Sequence, residues 1–196
     1  MTEHSSAAVG ADLREECIAS EEVFAGKLLR VSSDRVRLPD GNTSVREYIR
    51  HPGAVVVVAQ LDDGSVLLER QFRYPLQRDF IELPAGKIDA GEDILVCAQR
   101  ELREETGYVA AHWQYIGVMH PCIGYSNERI EVFFASGLSQ VGAELDAGEF
   151  LEVFARPWID LLAAIRAGEI TDGKTLAAVL LVQPFITANG AGRSQE

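Results

Sequence analysis

No stretch of this 196-residue chain leaves fewer folding options than Gly86 to Tyr108, which reads GKIDAGEDILVCAQRELREETGY. From Asp93 to Thr106 it holds neither Gly nor Pro and is rich in helix formers, and Gly107 supplies the residue that ends helices in a left-handed turn. Wound as an α-helix, it gathers Ile94, Leu95, Ala98 and Leu102 on one arc, which must face a core. Glu101, Glu104 and Glu105 stand at i, i+3 and i+4 along the edge of that arc, and Gln99, Arg100 and Arg103 take the far, solvated side. Carboxylates at those spacings oppose one another by about 0.2–0.5 kcal/mol per pair even in water, and by more when half-buried. A hard divalent cation relieves the conflict, since Mg²⁺ takes carboxylate oxygens and keeps its remaining positions for water and phosphate. The plainer reading of the RELREE run is a solvated face of Glu–Arg pairs.

Around this helix the chain reads as strands. Val23–Val31, Asp34–Leu38 and Ser44–Arg50 are separated by turn residues, as in Pro39-Asp40-Gly41-Asn42, and residues 1 to about 20 read as a mobile arm or a short helix. Val55–Leu61 and Val66–Arg70 flank an Asp62-Asp63-Gly64 hairpin turn, and Phe80–Leu83 stops at Pro84. Trp113–Met119, Ile130–Ala135 and Phe150–Phe154 follow as strands, and two helices, Pro157–Ala167 and about Thr175–Gln183, come last. The order β, helix, β, helix, helix predicts an α/β architecture with a mixed sheet between helices. The expected division is an arm and antiparallel β-region over 1–50, a main domain over 51–188 and a flexible tail over 189–196.

Composition narrows the function classes. Thirty acidic against 18 basic residues give a net charge of −12, which repels phosphate backbones and argues against nucleic-acid binding. A small anionic substrate would need a local arginine clamp or a metal. No apolar run approaches the ~18–20 residues of a membrane span, and no basic, apolar leader opens the chain. Three cysteines without ligand spacing predict a reducing, cytoplasmic home and no structural zinc.

Gly86, five residues, Glu92, seven residues, then Arg100-Glu101-Leu102-Arg103-Glu104-Glu105-Thr106-Gly107 resembles the Nudix box, with Tyr108 where an aliphatic residue is usual. Arg46-Glu47, His51-Pro52-Gly53-Ala54-Val55, Gln71-Phe72-Arg73 and Glu82-Leu83-Pro84-Ala85-Gly86 resemble the ADP-ribose pyrophosphatase branch of that family. The resemblance implies Mg²⁺-dependent hydrolysis (Mn²⁺ can substitute) of a small nucleotide sugar, ADP-ribose, to AMP and ribose 5-phosphate. It implies metal ligands Glu101, Glu104, Glu105 and the Ala85 carbonyl, and gives Glu104 a catalytic part as well. Arg100 would orient the glutamates, and Glu92 would support the loop. Arg46 and Arg73 would clamp substrate, with Glu82 as a polar contact. Glu149, in Gly148-Glu149-Phe150-Leu151-Glu152, would be the catalytic base, with Glu152 behind it. The N-terminal β-region would build a homodimer. Where relatives often carry Pro-Gly the chain has Ile123-Gly124, which leaves room for another nucleoside diphosphate sugar. An ADP-ribose-binding module without turnover is the other alternative.

Gly168-Glu169-Ile170-Thr171-Asp172-Gly173-Lys174-Thr175 also satisfies the P-loop pattern. A P-loop needs a strand before it, and here the preceding residues read as helix, with Glu169 and Asp172 opposing a triphosphate. The segment is expected to be a helix–turn–helix connection.

Overall fold

Four consecutive valines, Val55 to Val58, decide where the core lies, because none of them is exposed on either face. A strand buried on both sides needs such an unbroken apolar run, and it must be covered by helices above and below. The computed structural model, which describes residues 12–145, 148 and 150–186, shows that arrangement. The chain divides into two units, Met1–His51 with Cys122–Asn127, and Pro52–Pro121 with Glu128–Glu196.

The first unit carries an antiparallel sheet in the order β1-β2-β3: β1 (Glu16–Ala25), β2 (Arg30–Arg37) and β3 (Thr43–Arg50). Two expectations are corrected here. Residues 16–20 are strand rather than arm or helix, and the expected strand Val23–Val31 is cut by a turn in which the Gly26 N–H donates to the Leu29 carbonyl at 2.8 Å. The cause is long-range pairing: Glu16 to Ala25 runs antiparallel to Arg37 to Arg30, with register shifts between Cys17 and Ala19 and between Glu22 and Phe24, so the polar run gains a ladder that its own composition does not announce. Asp40 closes the β2–β3 turn by accepting from the Asn42 N–H at 2.9 Å.

The second unit is built on β4 (Ala54–Ala59), β5 (Ser65–Arg73), β6 (Arg78–Glu82), β7 (Ala85–Lys87), β8 (Tyr108–Met119), β9 (Ile130–Gln140) and β10 (Leu151–Pro157). They form sheets in the orders β7-β4-β9-β8 and β10-β5-β6. The first is mixed, since β4 runs parallel to β9 and antiparallel to β7. Helices α1 (Ile94–Glu101), α2 (Trp158–Arg166) and α3 (Gly173–Val182) flank this framework. Val55 and Val57 pack with Cys97, Ala98 and Leu102 of the α1 side, and Val56 and Val58 with Leu161, Ala178 and Val179 of α2 and α3. This is the expected α/β fold: a mixed sheet between helices, with an N-terminal antiparallel sheet.

Candidate active site

Helix α1 starts where Asp93 caps it, its carboxylate accepting from the Leu95 and Val96 N–H groups at 2.9 and 3.2 Å. After Glu101 the chain continues as a π-helical turn, Leu102–Thr106, and stops at Gly107 in the left-handed conformation. Gly107 is needed twice over: its φ is +74°, and a Cβ there would meet the Gly142–Ala143 backbone at 2.6–2.7 Å. The buried stripe is turned from the expected one. Cys97 is fully buried beside Ala98 and Leu102, while Leu95 lies at the surface. This rotation carries the arc of Cys97, Glu101 and Glu105 inward, and Glu105 is itself buried.

Arg100 was expected on the solvated side, and the structure corrects this. Its long stem carries the guanidinium back along the helix. There Nε and Nη2 donate to the two Glu92 oxygens at 2.9 and 3.0 Å, Nη2 to the Lys87 carbonyl at 3.1 Å, and Nη1 to Glu101 at 2.9 Å and Glu104 at 3.1 Å. Hydrogen bonding to Arg100 holds the Glu92 carboxyl down at about 2 against the opposing effect of burial, and the same contact raises Arg100. Burial pushes the neighbouring Cys97 thiol up to about 12, so it is no nucleophile near neutral pH. The Glu101 carboxylate lies against Gly86, where any Cβ would overlap it. Glu105 accepts from the Ala85 N–H at 3.0 Å.

A second group sits on the same short segment. Glu82, at the end of β6 and buried, forks to Arg73, taking Nε at 2.6 Å and Nη2 at 2.7 Å. It also receives the Lys174 ammonium, which binds Asp172 at 3.0 Å. Asp172 caps α3 through the Thr175 N–H at 3.0 Å, and the Thr175 hydroxyl accepts from the Leu83 N–H at 2.9 Å. Burial works to raise the Glu82 carboxyl, but Arg73 and Lys174 prevail and lower it. Arg73 is raised, first by its hydrogen bonds to Glu82. Arg73, Leu76, Phe80, Glu82, Asp172 and Lys174 line a cleft of about 200 Å³. Residues 82–85 thus join the two clusters, with Glu82 on the cations and the Ala85 amide on Glu105.

The structure brings together Arg73, Glu82, Ala85, Arg100, Glu101, Glu104 and Glu105. Arg46 lies in the first unit, paired with Glu15 at 2.5 Å. Glu152 is exposed and bound to Arg70 across the β5–β10 ladder, and Glu149 lies outside the described residues, as does the tail 189–196. Lys174, Asp172 and Thr175 were missed as site residues. The P-loop reading fails as expected, because α2 and not a strand precedes the segment. Yet its lysine enters the site through a contact 92 residues away in the chain, for which no local pattern exists.

Whether these residues suit a divalent cation follows from their donors. Three carboxylates on adjacent turns offer only oxygen, the choice of Mg²⁺ rather than of a softer metal. The Gly86 cradle leaves Glu101 room that a side chain would remove. Among the described residues no three acidic, His or Cys side chains already converge on one ligand point, because Arg100 holds Glu101 and Glu104 and the Ala85 amide holds Glu105. The set fits a hard cation once Glu101 and Glu104 turn from Arg100.

Comparison with known proteins finds relatives over most of the chain. The NUDIX domain model matches residues 49–179, and the model of the nucleoside diphosphate sugar hydrolase N-terminal domain matches residues 15–49. The chain is 40% identical over 173 residues to an ADP-ribose pyrophosphatase of Bacillus subtilis, covering 87% of this chain and 94% of that one. It is 37% identical over 177 residues to a methanol dehydrogenase activator of Bacillus methanolicus, covering 89% and 96%. A crystal structure of an ADP compounds hydrolase superposes with a TM-score of 0.80 at 23% identity, covering 89% of this chain and 95% of that one, a likeness of fold.

Proposed function

The chain belongs to the Nudix family, whose chemistry is hydrolysis of nucleoside-diphosphate-linked compounds, and within it we propose that this protein hydrolyses ADP-ribose to AMP and ribose 5-phosphate. The observation that carries the reading is the segment 82–85, which ties an oxygen-only acidic cluster to an arginine–lysine cleft. A diphosphate needs both: cations for its oxygens and carboxylates for the metal that accompanies it. The similarity to an ADP-ribose pyrophosphatase over nearly the whole chain supports ADP-ribose among the possible substrates.

In this reading Glu101, Glu104 and Glu105, with the Ala85 carbonyl, hold Mg²⁺. When bound, the metal neutralises the diphosphate and lowers the pKa of a coordinated water. Arg100 sets the starting positions of Glu101 and Glu104, and Glu92 keeps Arg100 in place. Arg73 binds the diphosphate from the cleft, its orientation fixed by Glu82. Glu149 takes the proton of the attacking water, an assignment that rests on the family resemblance of its loop. Arg46 contacts substrate from a homodimer built by the first unit, whose Val23, Phe24, Leu28, Leu29 and Val45 are exposed. No helix among the described residues is long and apolar enough to cross a membrane. We place the activity in the cytoplasm on the cysteine usage.

The test is phosphate-coupled hydrolysis with Mg²⁺ of ADP-ribose, GDP-mannose, UDP-glucose, NADH and diadenosine polyphosphates. Preference for ADP-ribose supports the proposal. Preference for another member keeps the family chemistry and moves the substrate. Tight ADP-ribose binding without turnover of any member refutes the enzymatic reading.

A further inference from the structure

Two cations meet on Glu82, and they are not equivalent. Lys174 has a side chain only 14% exposed and is wedged between the carboxylates of Glu82 and Asp172. Both contacts commit its ammonium to carboxylates at the cleft wall. Arg73 is 43% exposed, and because its Nε and Nη2 are spent on Glu82, its Nη1 edge is turned away from that carboxylate. The less exposed cation is held between two carboxylates, and the half-exposed one is available.

We propose that Lys174 is a positioning residue for diphosphate binding, holding Glu82, and through it the Arg73 guanidinium, at the wall of the cleft. The inference rests on Arg73 being the diphosphate clamp proposed above. Glu82 stands directly opposite Glu69 on β5, and both are buried. Cross-strand residues have Cβ atoms only about 4.5–5.5 Å apart, so two carboxylates there repel strongly unless cations balance them. With Lys174 in place Arg73 need not be drawn inward to meet that charge. The ammonium arrives on a fixed support, since Asp172 caps α3 and the Thr175 hydroxyl ties the helix start to the Leu83 amide. A site group held by such a second contact keeps its geometry without reorganising when ligand arrives.

A double-mutant cycle on the full chain, with ADP-ribose and Mg²⁺, tests this. Lys174→Met is expected to raise KM about tenfold with kcat within about threefold, and Lys174→Arg to restore most of the loss. In an Arg73→Ala background Lys174→Met should raise KM no further, because its effect passes through Arg73. Multiplying losses, an unchanged KM, or a fall in kcat alone overturns the inference. If Lys174→Met does not fold, the isosteric Glu82→Gln decides: a similar KM rise that vanishes in the Arg73→Ala background supports the relay, and an unchanged KM refutes it. Wild-type protein that turns over no nucleotide sugar refutes the functional reading and this inference with it. Turnover with additive losses refutes the inference alone.

Discussion

Glu92→Gln removes one negative charge beside Arg100 while keeping the shape of the side chain. In the folded protein both Glu92 oxygens receive Arg100, at 2.9 and 3.0 Å, and Oε2 also accepts from the Asp89 N–H at 3.0 Å. These bonds hold the carboxyl at about 2 against an ordinary value of 4.5. The folded value lies below the unfolded one, so ionisation of Glu92 stabilises the fold above about pH 4.5 and is progressively lost as pH falls toward 2. The gap corresponds to roughly 3 kcal/mol at pH 7, as an upper bound, and to less than half of that at pH 3. Gln retains an acceptor for Arg100, so a stability loss of about 2–3 kcal/mol is expected at pH 7, which lowers Tm by roughly 4–12 °C for a chain of this size. Urea unfolding of both proteins from pH 7 to pH 3 measures it. The difference should narrow steadily below pH 4.5. A difference under about 0.5 kcal/mol at pH 7, the level of an ordinary surface substitution, or one that does not change with pH, would refute the ion-pair account.

Glu105→Gln keeps an acceptor for the Ala85 amide but removes a metal-binding charge; kcat should fall at least about 100-fold with the fold intact, and an unchanged kcat would refute the metal site. Gly86→Ala places a methyl in the Glu101 carboxylate at ordinary backbone angles, so activity should fall about tenfold or more while Tm shifts by only a few degrees; wild-type activity would show that Glu101 can move without consequence. Sedimentation velocity should show a dimer held by the exposed apolar residues of the first unit, and a monomer at micromolar concentration would remove the proposed role of Arg46.

Much of this protein is local and was legible in the sequence. The run from Asp93 to Gly107 declares its helix and its stop, and periodicity brings its glutamates to the edge of the core; the π-helical turn and the inward rotation that buries Glu105 came from packing. The unbroken valines of β4 likewise announce a strand. What the sequence left open concerns partners distant along the chain. Strand β1 is polar enough to read as an arm until β2 offers it a ladder. Helical periodicity puts Arg100 in water, whereas the family resemblance pairs it with the glutamates; what neither gives is that its long stem turns back to Glu92 and the Lys87 carbonyl. Lys174 lies in a segment whose pattern suggests a phosphate loop. Sequence reasoning could reject that loop on local grounds, since a helix precedes it, but could not reassign the lysine. Periodicity and caps are written into neighbouring residues. Charge pairing across 92 residues is decided only when the packing of α3 against the sheet brings Lys174 to Glu82, where a buried carboxylate must find its cations.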